Sequence, residues 1–231
     1  MDKQRWLGPA AEAVHASSCG ESAGDAIHPH DLLWIRDANA LRAELPLPTW
    51  ATPDWLLSAP VVVRRERTDA EQRIPVGLRG TARNQRCKAY LDSGAVARCV
   101  RPEMLAASAA WRRQRLGQFP ALEALEALAL PLDATGLAWG PTGSVGFALA
   151  SGLPVLRPDS DLDLLVRAPR PLKQEQIRAL LLFVASPICR IDLQLDTGHG
   201  GFALAEWADG PRPVLLKTND GPVLTDDPWR V

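Results

Sequence analysis

A chain of 231 residues, 46% hydrophobic and 23% charged, is long enough to bury a sizeable core in one large or two small domains. Its formal charge of −1 at pH 7 argues against a nucleic-acid binder, which needs many cationic contacts to phosphate. No apolar run reaches the length of a bilayer span and no basic segment precedes an apolar one at the start, so a cytoplasmic protein without membrane association is expected. Cys19, Cys87, Cys99 and Cys189 lack metal-type spacing and fit reduced thiols.

Residues 1–27, rich in Ala, Ser and Gly, predict a poorly ordered extension with at most a weak helix around Ala10 to Ala16. Pro29 to Ile35 reads as a strand entered through a turn at His30 and Asp31. Thr52-Pro53-Asp54 caps and opens a short helix ended by Ala59-Pro60. Val61-Val62-Val63 is a β-branched strand that turns basic at Arg64 and Arg65. Lys88 to Leu91 and Val96 to Val100 read as strands paired across Asp92-Ser93-Gly94. These elements suggest a small N-terminal α+β module, 28–101. One helix is expected from Pro102 through Arg115 and a second from Pro120 to Leu130.

The stretch from Leu137 to Leu165 carries the chemistry. Leu137 to Trp139 is a short strand, and Pro141-Thr142-Gly143-Ser144 turns out of it, with Ser144 expected to cap a helix from Val145 to Ala150. A helix N-terminus preceded by glycine presents backbone N–H groups at a partly positive end, a seat for phosphate. In Asp161-Leu162-Asp163-Leu164 the alternation is that of a half-buried strand, which puts both acids on one face. Residues two apart on a strand lie roughly 6.6 Å apart at the backbone. Carboxylates about 4 Å apart repel by roughly 4 kcal/mol at an effective dielectric of 20, so they either splay into water or share a cation. Hard oxygen ligands suit Mg²⁺, which shares its shell with substrate phosphates. Asp192, in the alternating segment Arg190 to Leu195, supplies a third acid. Strand, Gly-Ser turn, helix and Asp-x-Asp strand together resemble the nucleotidyltransferase superfamily related to polymerase beta. The expected catalytic domain, 102–231, is α+β with a mixed sheet.

Farther along, Leu172 to Ser186 predicts a helix, Phe202 to Ala208 another, and Pro213 to Thr218 a last strand whose Lys217 can reach a phosphate. Thirteen Lys or Arg face five acids between Val61 and Arg115, whereas from Glu126 onward nine face thirteen. A solvated surface, an acidic ligand or an acidic partner each accounts for that asymmetry.

Over most of its length the chain is similar to the malonate decarboxylase holo-acyl-carrier-protein synthases, or phosphoribosyl-dephospho-CoA transferases. The residues that carry the resemblance are His30-Asp31-Leu32-Leu33-Trp34, Pro60 to Arg65, Gly143-Ser144, Ser160 to Leu165, Ile191 to Gln194 and Gly200 to Trp207. The resemblance implies transfer of the prosthetic group from triphosphoribosyl-dephospho-CoA to a serine of the apo acyl-carrier subunit, with release of pyrophosphate. It implies Mg²⁺ and makes Asp161 and Asp163 the catalytic pair. Asp192 would join them as metal ligand and proton acceptor. Gly143, Ser144 and Lys217 would hold phosphate. Arg64, Arg65, Arg83, Arg86 and Lys88 would meet either the donor's other phosphates or an acidic carrier protein. The alternatives are another enzyme of the superfamily, acting on a small molecule or a protein hydroxyl, and a non-catalytic binding module.

Overall fold

The computed structural model describes residues 26–68, 72–113, 119–185, 187–207 and 213–230. The expected N-terminal extension falls almost entirely outside them.

Strand β1 (Leu32–Ile35) divides its side chains between two cores, as the period of two requires. Leu33 packs with Val61, Val76, Leu78 and Leu91 inside the first sheet. Leu32 joins the larger cluster built on Leu122, Trp139, Phe147, Leu164 and Phe202. Its antiparallel partner Val100 does the same.

The first sheet has the order β2-β5-β4-β3-β1-β6, from β2 (Leu41–Arg42), β3 (Val61–Val63), β4 (Arg73–Arg79), β5 (Arg86–Asp92) and β6 (Val96–Val100). The expected pairing of the segments around Asp92-Ser93-Gly94 does not form. Strand β4 takes one edge of β5 along its whole length and β2 takes the other, which leaves β6 to pair with β1.

The second sheet runs β12-β11-β10-β9-β8-β7, from β7 (Ala138–Pro141), β8 (Leu162–Arg167), β9 (Ile191–Asp196), β10 (Gly201–Ala203), β11 (Val214–Thr218) and β12 (Gly221–Thr225). Only β8 and β9 are parallel, so this sheet is mixed and the architecture is α+β, as expected.

Helix α1 (Pro53–Ser58) starts as its sequence dictates: Thr52 Oγ1 accepts from the Trp55 backbone N–H at 3.3 Å, with proline in the first turn. Helix α2 (Pro102–Ser108) is shorter than expected. Ala109, in the left-handed region at φ 45°, ends it, and a 3-10 turn follows at Ala110–Arg113. Helix α3 (Pro120–Ala134) instead runs on through Pro131, because Leu132 is fully buried and Asp133 accepts from Trp139 Nε1 at 2.8 Å. Helix α5 (Gln174–Val184) lies within its expected span. The expected helix at Phe202 is β10 followed by a 3-10 turn at Leu204–Trp207, since Phe202 pairs with Leu195 and is wholly buried. No described helix is long and apolar enough to cross a membrane.

Ion pairs hold the two sheets together. Arg167, at the end of β8, donates to Asp196 at 2.6 Å and to Glu103 at 2.8 Å, and lies 3.7 Å from Asp31. Arg65 donates to Asp196 at 2.9 Å. Burial by itself raises the Asp196 carboxyl; Arg65, then the donated Gly198 N–H and Arg167, outweigh it and bring the pKa below its ordinary value.

Candidate active site

Helix α4 (Gly143–Ser151) begins two residues earlier than expected. Thr142 is its N-cap, without a side-chain cap bond, and Ser144 sits in the first turn instead. The Thr142 N–H donates to the Asp163 carbonyl at 2.8 Å, which seats the start of the helix against β8. Gly143 has φ 56°, and a Cβ there would lie 1.7 Å from Asp163 Oδ2. Both the backbone and the space demand glycine. Gly143→Ala is therefore expected to lower any activity of this site by about 10²-fold or more, because it displaces the Asp163 carboxylate; activity within threefold of the parent, measured on the purified variant, would refute this.

Asp163 and Asp192 are register partners on parallel β8 and β9. Burial first, then the charges of Asp192 and Asp161, push the Asp163 carboxyl up to about 6, against the opposing pull of Arg79 and Arg190. The three acids thus feel one another, but they are not a closed cage. Among the described residues no group of three His, Cys, Asp or Glu stands ready to hold a metal ion, and Asp192 lies 3.3 Å from Arg190.

Three cavities meet at Gly143. A pocket of about 130 Å³ is lined by Asp161, Asp163, Ser144, Ser160 and four arginines, Arg79, Arg83, Arg86 and Arg157. A second cavity, of about 260 Å³, lies on the other side of Asp163 and is lined by Asp192, Gln194, His30 and Lys217. A third, mostly apolar chamber of about 550 Å³ lies between the sheets and also touches His30, Arg79 and Arg86.

The residues expected from sequence are thus largely brought together. Asp161, Asp163, Asp192, Gly143, Ser144 and Lys217 line the first two cavities, Arg83 and Arg86 the arginine pocket, and Arg64 and Lys88 the chamber. Arg65 lines none of the three. Its guanidinium is committed to buried Asp196, so it ties the sheets together rather than facing a ligand. Arg79, Arg157 and Ser160 also line the arginine pocket, and the sequence assigns none of them a role there. Arg157 and Ser160 stand just before the Asp-x-Asp strand, where the Arg157 N–H donates to Ser160 Oγ at 3.0 Å. The run of Arg79, Arg83 and Arg86 was the available signal for the pocket. Burial, then repulsion from Arg86, lowers Arg79 to about 10, so it stays cationic at neutral pH.

The sequence places His30 in a turn, and it does lead into β1 at a φ of 77°. Its side chain also reaches the site. Burial, then Arg65 and Arg167, lowers its pKa to about 4, which leaves a neutral imidazole at pH 7.

The family model for the phosphoribosyl-dephospho-CoA transferase MdcG N-terminal domain matches residues 28–102, and that for its C-terminal domain matches residues 105–228. The chain belongs to the phosphoribosyl-dephospho-CoA transferase family. It is an enzyme of the transferase class. Curated relatives bearing that name include one from Pseudomonas aeruginosa, 47% identical over 88% of this chain and 94% of its own length. Another, from Klebsiella pneumoniae, is 45% identical over 87% and 95%, and one from Pseudomonas putida is 44% identical over 90% and 97%. No solved structure matches the chain.

Proposed function

We infer that the enzyme transfers a phosphoribosyl-dephospho-CoA group from triphosphoribosyl-dephospho-CoA to a serine of the apo acyl-carrier subunit of malonate decarboxylase. The observation that carries this reading is the position of Asp163, a wall shared by an arginine-lined pocket and a second cavity that holds Asp192, Lys217 and His30.

The arginine pocket takes the triphosphate, whose leaving pyrophosphate is held by Arg79, Arg83, Arg86 and Arg157, the Ser144 hydroxyl and the N–H groups opening α4. The serine hydroxyl enters through the second cavity. Its oxygen bonds to the phosphorus nearest the ribose as the bond from that phosphorus to the pyrophosphate oxygen breaks. Asp192 accepts the hydroxyl proton, and Lys217 supplies positive charge beside the developing oxyanion. In this arrangement Arg83 and Arg86 serve the donor rather than the carrier protein.

The donor set fits Mg²⁺. Asp163 is a carboxylate crowded by like charge, with hard oxygen donors next to a phosphate pocket. Magnesium needs only one or two carboxylates when substrate phosphates and waters fill the rest of its shell, so an open arrangement suffices. Asp161, Asp163 and Asp192 would hold the ion. When bound it neutralises charge on the transferring phosphoryl group.

Incubation with apo carrier subunit and either labelled triphosphoribosyl-dephospho-CoA or labelled ATP tests the reading. Label is expected on the carrier serine from the first donor, with one pyrophosphate released per transfer. Label from ATP alone would point to a different nucleotidyl donor.

A further inference from the structure

The chamber between the sheets has no part in the chemistry described so far. We propose that it is the subsite for the adenine ring of the donor, an assignment that rests on the transfer of phosphoribosyl-dephospho-CoA proposed above.

Shape supports a flat ring there. Leu32, Val62 and Phe147 give apolar walls, and Gly77 lies on the same lining. Gly77 pairs with Val62 on one side and Lys88 on the other, so its missing side chain leaves a slot between two neighbouring strands. No special backbone or steric demand explains that glycine. A Cβ there would meet nothing closer than Arg64 Cδ at 3.6 Å, and its φ lies outside the left-handed region. Open space is what the glycine provides.

Polar groups in the chamber also look for a partner. Arg64 and Arg79 both line the chamber, and each has one guanidinium nitrogen, Nη1 and Nε respectively, without a hydrogen-bond partner among the described residues. The Arg79 guanidinium lies 5.2 Å from the Phe147 ring centroid. Adenine carries three ring-nitrogen acceptors and one amino donor around the edge of a flat ring whose faces are apolar. Few polar contacts in a mainly apolar cavity is the usual composition of such a site.

Continuity fixes which end of the donor enters. The chamber shares Gly143, Arg79 and Arg86 with the arginine pocket. The group in it therefore lies close to the reacting triphosphate. In a donor whose triphosphoribosyl unit is attached to the 2′ oxygen of the adenosine ribose, the adenine is near and the pantetheine arm is far. Arg64 and Lys88, on the chamber lining, then stand where the diphosphate of dephospho-CoA leaves it.

The test uses the full-length protein and dephospho-CoA, adenosine 5′-monophosphate and 4′-phosphopantetheine as separate probes in titration calorimetry. Gly77→Phe fills the slot and is expected to weaken dephospho-CoA and adenosine 5′-monophosphate at least tenfold and to raise KM for the donor more than it lowers kcat. Saturation-transfer NMR on the unmodified protein needs no variant. The adenine H2 and H8 protons should receive more saturation than the pantoyl methyl groups. Stronger saturation of the pantoyl methyls, or unchanged nucleotide affinity in a folded Gly77→Phe, would overturn the subsite while leaving the transferase reading intact. Absence of both dephospho-CoA binding and group transfer in the unmodified protein would overturn both.

Discussion

Asp163→Asn is expected to abolish transfer, by about 10³-fold or more in kcat/KM, and at the same time to make the protein more stable at pH 7.5. The loss of activity follows from position: Asp163 is the carboxylate shared by the arginine pocket and the cavity of Asp192, and it lies against Gly143 at the start of α4. The gain in stability follows from charge. Its pKa rises from 3.8 to about 6 through burial and the neighbouring Asp192 and Asp161. The folded protein therefore holds this proton more tightly than the unfolded chain does. Stability falls as pH climbs through the window from about 4 to about 6 and stays reduced above it. Asparagine carries no charge and escapes that loss. A Tm on the order of 2–4 °C above the parent is expected at pH 7.5, closing near pH 4. Added MgCl₂ should raise the Tm of the parent protein and leave that of Asp163→Asn unmoved. Equal Mg²⁺ shifts in both proteins, or activity of the variant within tenfold of the parent, would remove Asp163 from the reacting centre.

Arg167→Met should cost about 3–5 kcal/mol of folding free energy, read from denaturant midpoints. The arginine is mostly buried and serves three carboxylates at once, Asp196, Glu103 and Asp31. Its removal leaves them in low-dielectric surroundings, where Asp31 already has one oxygen without a hydrogen-bond partner and a pKa pushed by burial to about 6. Arg65→Met should cost less, since Asp196 keeps Arg167. A loss below about 1 kcal/mol for Arg167→Met would mean that the network is solvated and does not hold the sheets together.

The parts of the site legible in the sequence were those written in local grammar. Acid and leucine alternate at the start of β8 because one face meets the core, and a glycine stands at Gly143, where α4 opens, because only glycine fits beside Asp163. The family resemblance carried the substrate; no spacing of residues contained it. What escaped notice depended on distant segments meeting. Arg79 lies in an early strand and Arg157 in a late loop, and nothing local says that they share a pocket. His30 opens a stretch that carries the family resemblance but no chemical role, yet the packing of the two sheets brings it to the cavity that Asp163 also lines. Arg65 looks like its neighbour Arg64, but beyond the end of β3 the one is paired with Asp196 and the other lines the chamber. Phe202 followed a helical pattern and became a strand because the free edge of β9 was available to it.

Leu32 and Val100 belong to a core completed by residues beyond position 120, and this bears on how the chain is made. A ribosome that has released only the first hundred residues presents a sheet with one apolar side bare. Such an intermediate is sticky until synthesis delivers its cover. The N-terminal half expressed by itself should accumulate as aggregate, and adding the C-terminal half during synthesis, rather than afterwards, should restore it.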